Sequence, residues 1–183
     1  MYTLHHGFWI YFITRHHPKV WQFVIGSMLP DYIYVILAIT LLLKGYVTLP
    51  ELGGVNPGLL MSLVAIFPWV VKVDLIGHSV PVWFAAQLLS LLPGIKKLRF
   101  FIIGWGSHLF IDALTHGVYS NFYLYPLAYD TVESPVSYWE HSHWSREFGF
   151  INMAAMAAAA LYMLAEWWQK RQRLRKRGDN NGD

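Results

Sequence analysis

Residues 97–119 read KLRFFIIGWGSHLFIDALTHGVY, and both the fold and the chemistry of the chain turn on them. The stretch is apolar enough for one long helix, with His108, Asp112 and His116 set into it at i, i+4 and i+8. At about 100° per residue, each four-residue step drifts only about 40° around the axis, so all three side chains leave from one stripe. Such a ladder has two readings: polar residues hydrogen-bonding between helices, or a site that binds something. In an apolar segment an unpaired imidazole or carboxylate is costly, which favours the second. His108 and Asp112 are close enough to chelate one ion from one helix, and His116 adds a ligand a turn further on. Gly104 and Gly106 leave room for a neighbouring helix to approach closely.

The composition says what surrounds that helix. A chain of 183 residues is long enough for one domain with a core of its own. Its hydrophobic fraction of 55% lies above the usual range of about 45–50%, and its charged fraction of 14% falls well below the usual quarter or so. Mean hydropathy is positive. These values predict a multi-pass membrane protein rather than a soluble domain. There is no cysteine, which excludes disulfide frameworks and thiolate metal sites, so any metal must be held by imidazole and carboxylate. The opening MYTLHHGFWIYF lacks a basic n-region and a small-residue cleavage motif and is expected to be retained. A basic cluster from Lys170 to Arg177 accounts for most of the net charge of +3. It reads as a solvated cytoplasmic tail, with anionic lipid headgroups as the alternative partner. No aromatic residue is interleaved there, so no nucleic-acid partner is expected.

Taken in order, the chain predicts an all-α fold: a multi-pass membrane helical bundle with several short or half-membrane helices. Leu4 to Thr14 and Val20 to Leu29 each cover about half a bilayer and form a shallow hairpin around the polar turn Arg15 to Lys19. SMLPD, residues 27–31, opens a helix from Tyr32 to Leu43. After a Gly/Pro-containing loop, Asn56-Pro57 opens another, running to about Val73 with a kink at Pro68. Ser79 caps a helix that reaches Leu92 and stops at Pro93-Gly94. Beyond the central helix lies an aromatic loop, with Ser134-Pro135 as a further helix start. Gly149 to Trp168 is the clearest transmembrane signal. The expected organisation is one helical membrane domain over 1–169 and a basic, disordered cytoplasmic tail over 170–183. Threading the segments alternately across a membrane puts all basic residues but Lys72 and Arg146 on one side, the cytoplasmic one by the positive-inside rule. His5, His6, Asp31, Asp74, His78, His116, His141 and His143 gather on the other.

Several of these carry chemistry of their own. Asp31 stands at a helix start, as a helix N-terminal charge, a ligand, or both. His78, in Gly-His-Ser, is either a boundary histidine or a ligand. Either His5 or His6 can serve at the N-terminus. His143 and Glu147 repeat the i, i+4 spacing, as a surface pair or as metal ligands. A ligating histidine needs an outer partner to fix its tautomer, and Glu140 or Asp74 can supply one.

The set TLHHG, GSMLPD, GHS and GSHLFIDALTHG, followed by Tyr125-Pro126, resembles the bacterial membrane-bound metal-dependent hydrolases. That family is distantly related to zinc-dependent phospholipase C and the S1/P1-type nucleases. The resemblance implies ligand roles for His6, Asp31, His78, His108, Asp112 and His116. In the phospholipase relatives a later His-x-x-x-Asp/Glu completes a multi-metal cluster, which His143 and Glu147 match. The spacing from Asp112 to His116 is shorter than in the phospholipases.

The function expected from these residues is metal-dependent hydrolysis, of a phosphoester and in particular a phospholipid, at the bacterial inner membrane with the C-terminus cytoplasmic. Imidazoles with carboxylates suit Zn²⁺ or Mn²⁺, as one to three ions, and Asp112 is placed to bridge two ions about 3.5–4 Å apart. Asp31 or Glu147 serves as general base if not ligating. A metal-ion or proton transporter would also place His and Asp in an apolar helix, but no inverted repeat is visible. A haem protein would leave Asp31 and Asp112 unexplained.

Overall fold

The computed structural model describes residues 2–52, 66–117 and 122–179, in which apolar runs broken by proline, glycine and short polar turns fold as helices, while 122–140 are turns and loop. Helix α1 (Thr3–Thr14) and α2 (Val20–Met28) flank the turn at Arg15–Lys19, where His17 N–H donates to Thr14 O at 2.7 Å. Helix α3 (Tyr32–Leu43) ends at Gly45, whose φ of 69° is the left-handed value that lets the chain leave a helix. One turn follows as α4 (Leu49–Leu52), and then α5 (Pro68–Gly77), α6 (Val80–Leu89) and α7 (Arg99–Ala113), the last introduced by a 3-10 turn at Lys96–Leu98. A second 3-10 turn, His141–His143, precedes α8 (Ser145–Asp179).

Four expected boundaries move. Pro68 does not kink a helix but starts one: Phe67 before it is non-helical at φ −123° and ψ 78°, and a first-turn proline gives up no hydrogen bond. The expected start at Asn56-Pro57 lies outside the described residues. The helix after Ser79 ends at Leu89 rather than Leu92, although Ser79 does cap it, its Oγ accepting from Val82 N–H at 3.1 Å. Ser134-Pro135 opens no helix. Ser134 Oγ instead accepts from Val136 N–H at 3.2 Å and donates to Leu114 O at 2.7 Å, so the residue braces a loop. The central helix stops at Ala113, where Leu114 N–H turns back to Ile111 O (3.1 Å) and Thr115 N–H to Asp112 O (3.0 Å). His116 therefore lies beyond the helix end.

Residues 1–145 and 146–183 are two compact units. In the first, α2 and α7 meet backbone to backbone. A Cβ added at Gly26 would fall 1.9 Å from Phe101 O, and one at Gly104 2.2 Å from Phe23 O. Only hydrogen fits at either position, which is what small residues at a helix crossing provide. Helix α3 packs on α5 through buried Ile33, Leu37, Leu41, Phe67 and Val70. A second apolar cluster, Ile102, Trp105 and Leu109 of α7, draws in Leu29, Val82 and Trp83. The indole N–H of Trp105 donates to Gly77 O at 2.6 Å, fixing the α5–α6 junction against α7.

This packing sorts charge by end. The His17 ring lies 4.8 Å from that of Phe100, so the turn holding Arg15 and Lys19 sits beside the segment holding Lys96, Lys97 and Arg99. The His6 ring stacks on that of His108 at 3.9 Å at the opposite end of α1 and α7. The second unit holds α8 from Arg146 on; the helix carries a candidate span within Ser145–Arg175 whose most apolar 18-residue window has a mean hydropathy of 1.7. Among the described residues it is the one helix long and apolar enough to cross a membrane. The bent pair α2–α3, at 59°, makes a second candidate. The other described helices are shorter than a full span. Lys170 and the basic residues after it are helical as far as Asp179, where a disordered tail is expected.

Candidate metal centre

Five side chains from the site end of the first unit converge. His108 and Asp112 come from one face of α7, His6 from α1, Asp31 from the α2–α3 junction and His78 from the α5–α6 junction; all five are buried. His108 Nε2 lies 3.0 Å from Asp112 Oδ2, 3.6 Å from Asp31 Oδ1 and 3.2 Å from His78 Nε2. His78 Nε2 is in turn 3.7 Å from Asp112 Oδ2 and 3.9 Å from Asp31 Oδ1. On the other side of the same carboxylate, His6 Nε2 lies 3.1 Å from Asp112 Oδ1. Asp31 heads α3, yet its side chain makes no capping hydrogen bond, so its oxygen serves the cluster rather than the helix end.

The tautomers follow from what each ring's second nitrogen meets. His108 Nδ1 donates to Ser27 O at 2.7 Å, and His78 Nδ1 donates to the Asp74 carboxylate, with Oδ1 at 3.0 Å. Both Nδ1 protons are thus committed, and both Nε2 atoms face the centre with lone pairs. Two lone pairs 3.2 Å apart repel unless a cation lies between them. Burial works against charge on His78, but Asp74, Asp112 and Asp31 outweigh it and push its pKa up to about 9. The same carboxylates would favour a cation at the centre.

The residues fit such an ion. Two donors on one tetrahedral zinc, each about 2.0–2.1 Å from it, stand about 3.3 Å apart, close to the 3.0 to 3.9 Å that separate His78 Nε2 and His108 Nε2 from each other and from Asp112 Oδ2 and Asp31 Oδ1. Two triads, Asp31–His78–His108 and His6–His108–Asp112, are tight enough to hold an ion each. His108 has only Nε2 to give and can serve one of them. Asp112 has an oxygen toward each. Neither ring nitrogen of buried His6 has a well-formed hydrogen bond, as expected of a group whose partner is a metal.

The remaining sequence candidates lie nearby or apart. His116, past the helix end, is turned back so that its Nδ1 lies 3.1 Å from Asp112 O and 3.5 Å from Asp112 Oδ1. His143 belongs to neither triad: its ring packs over Gly117, with Nδ1 2.9 Å from Ser142 Oγ and 3.7 Å from Glu140 Oε2. Of the adjacent pair at the N-terminus, His6 faces Asp112 and His5 pairs with the Tyr138 hydroxyl. Glu147 stands in the first turn of α8, in the second unit. Of the two outer partners considered for histidine, Asp74 holds His78 and Glu140 lies by His143. Sequence reasoning missed Tyr34, whose hydroxyl donates to Asp74 Oδ1 at 2.7 Å. A signal was present: Tyr34 follows Asp31 by three residues, on the same helical face.

The model of the zinc-dependent phospholipase C family matches residues 21–182. The chain belongs to that family. Comparison with curated proteins and with solved structures finds no match. The matched region of this zinc-dependent phospholipase C family member holds Asp31, His78, His108, Asp112, His116, His143 and Glu147; His6 precedes it. Family and donor set together support a metal-dependent hydrolase whose cofactor is a divalent metal, zinc, as one to three ions.

Proposed function

We propose that the protein hydrolyses a phosphoester of an amphiphilic substrate, of the phospholipid class, at a membrane surface. The observation that supports the reading is that carboxylate oxygens of Asp31 and Asp112 face the adjacent Nε2 atoms of His78 and His108, with Asp112 turning its second oxygen to His6. A bound divalent cation supplies a water with pKa lowered toward about 7 and a positive charge for the phosphoryl oxygens. The chain's residues do the rest. Ser27 O and Asp74 fix the rings of His108 and His78, and Asp112 ties the two triads together. Because Asp31 Oδ1 stands among the donors, Asp31 is assigned as a ligand rather than as the general base.

The membrane part has separate support. Val35, Ile36, Ile39 and Leu43 of α3, and Phe84, Leu88 and Leu89 of α6, are exposed apolar side chains on elements whose ends are sorted by charge. With the long apolar α8, they fit a multi-pass inner-membrane protein of bacteria, its shorter helices accommodated by tilt or local thinning, its C-terminus in the cytoplasm and its metal centre on the other face.

Purified in detergent under metal-replete conditions, the protein is expected to carry stoichiometric zinc. It is also expected to release phosphorylated headgroups from mixed phospholipid vesicles, and to lose that activity on chelation. A metal-free protein under those conditions would overturn the reading, and zinc binding with turnover of nucleotide phosphoesters alone would overturn the lipid substrate. The orientation is checked by a reporter fused after Asp183, which is expected to be active only in the cytoplasm; a periplasmic signal refutes it.

A further inference from the structure

We propose that Tyr34 is a positioning residue of the metal centre, acting through Asp74 on His78; the inference rests on reading the donor cluster as a metal site. Asp31 and Tyr34, three residues apart, share a face of α3. That face serves the centre twice: Asp31 places Oδ1 among the donors, and Tyr34 donates its hydroxyl to Asp74 Oδ1 at 2.7 Å. The same Asp74 oxygen lies 3.0 Å from His78 Nδ1. With two donors aimed at one oxygen, the carboxylate is held against the ring, and the His78 proton stays on Nδ1.

His78 needs this support because of where it sits. It follows the last residue of α5, at the junction with α6, which starts two residues later at Val80. If the carboxylate swings away, only Asp74 O, 3.1 Å from Nδ1, remains to hold the proton. The ring then more readily carries its proton on Nε2, where it blocks metal. A carboxylate released from Tyr34 is also a rival ligand only one helical turn away. The Tyr34 ring itself is packed against the Ile33, Leu37 and Val70 cluster. Tyr34→Phe therefore keeps the packing and removes the hydroxyl alone.

A purely structural role, tying α3 to α5, would lower stability and leave metal binding as it was. The two roles are separated by metal affinity in the full-length chain, purified in detergent, stripped and titrated with Zn²⁺ against a chelator, and by the visible absorption of the Co²⁺ form. Tyr34→Phe is expected to bind Zn²⁺ about 10-fold more weakly, the low end of the range for losing an outer partner of a metal-bound histidine, since Asp74 itself stays in place, and to shift the Co²⁺ bands. Asp74→Asn, which keeps a carbonyl acceptor but loses the charge, is expected to weaken binding as well. Unchanged Zn²⁺ affinity and Co²⁺ spectrum in Tyr34→Phe would overturn the proposal. If that variant does not fold, unchanged affinity in Asp74→Asn overturns it equally. Failure of the wild type to take up either metal would instead overturn the reading of the centre itself.

Discussion

Asp112→Asn is expected to lower zinc affinity by more than about 100-fold, beyond the 10–100-fold typical of losing an outer partner, and to abolish hydrolysis with it. Asp112 turns one oxygen to each side: Oδ1 toward His6, Oδ2 toward His108 and His78. The amide keeps one oxygen and replaces the other with a donor group that no cation accepts. Whichever way it sits, one triad meets an N–H₂ where it needs a lone pair. It also removes the negative charge that balances a cation in a buried site, where uncompensated charge is most costly. The measurement is zinc content after purification, with chelator titration of any residual binding. Full zinc occupancy in a folded Asp112→Asn protein would mean that the centre is not organised around this carboxylate. The near-isosteric swap leaves α7 intact, so a circular dichroism spectrum matching the wild type is expected alongside the loss.

Gly26→Ala is expected to destabilise the metal-free protein by about 3 kcal/mol or more, at or above the top of the usual range for overpacking. The added methyl would sit 1.9 Å from Phe101 O, a backbone atom that cannot move without shifting α7. The effect reaches the metal centre, because Ser27, the next residue, supplies the carbonyl that accepts from His108 Nδ1 at 2.7 Å. Forcing α2 and α7 apart lengthens that bond and frees the His108 ring. Denaturant unfolding of the stripped protein reads the first effect, and zinc titration the second. A stability within about 1 kcal/mol of the wild type would show that the two helices do not touch at this glycine. An exposed glycine, Gly94, has open space around it and should accept alanine without such a loss.

Legibility in the sequence tracked how local the cause was. Helix α3 could be read to its end residues because Pro30-Asp31 opens it, Lys44-Gly45 closes it, and everything between is apolar. Pro68 misled because a proline in an apolar run is equally a kink or a first residue, and only the extended Phe67 before it decides. Ser134 had the sequence look of a helix start, but its hydroxyl is claimed by Leu114 O from another segment. His116 seemed a third rung because four-residue spacing persists past Ala113, whereas the chain tightens into a turn there. The choice between His5 and His6 was open because neighbours on a helix point about 100° apart, and what each direction meets is set by other segments. The Ser27 carbonyl that fixes His108 is a backbone atom, and no sequence pattern announces it.

By itself the sequence determined the helical class, the absence of thiolate chemistry, the sorting of basic residues from histidines and carboxylates, and the one-turn spacing of His108 and Asp112. These depend on composition and on helical geometry, which act over a few residues. The tertiary structure alone decided which groups meet: that His6, Asp31 and His78 come to Asp112 from three other segments, that Asp112 faces two ways, and that Tyr34 and Asp74 stand behind His78. Those contacts span tens of residues and exist only because Gly26 and Gly104 let two backbones touch and the α3–α5 core holds Asp31 opposite His78. Close packing of surfaces far apart in the chain placed the donors, and helical periodicity has no reach over that distance.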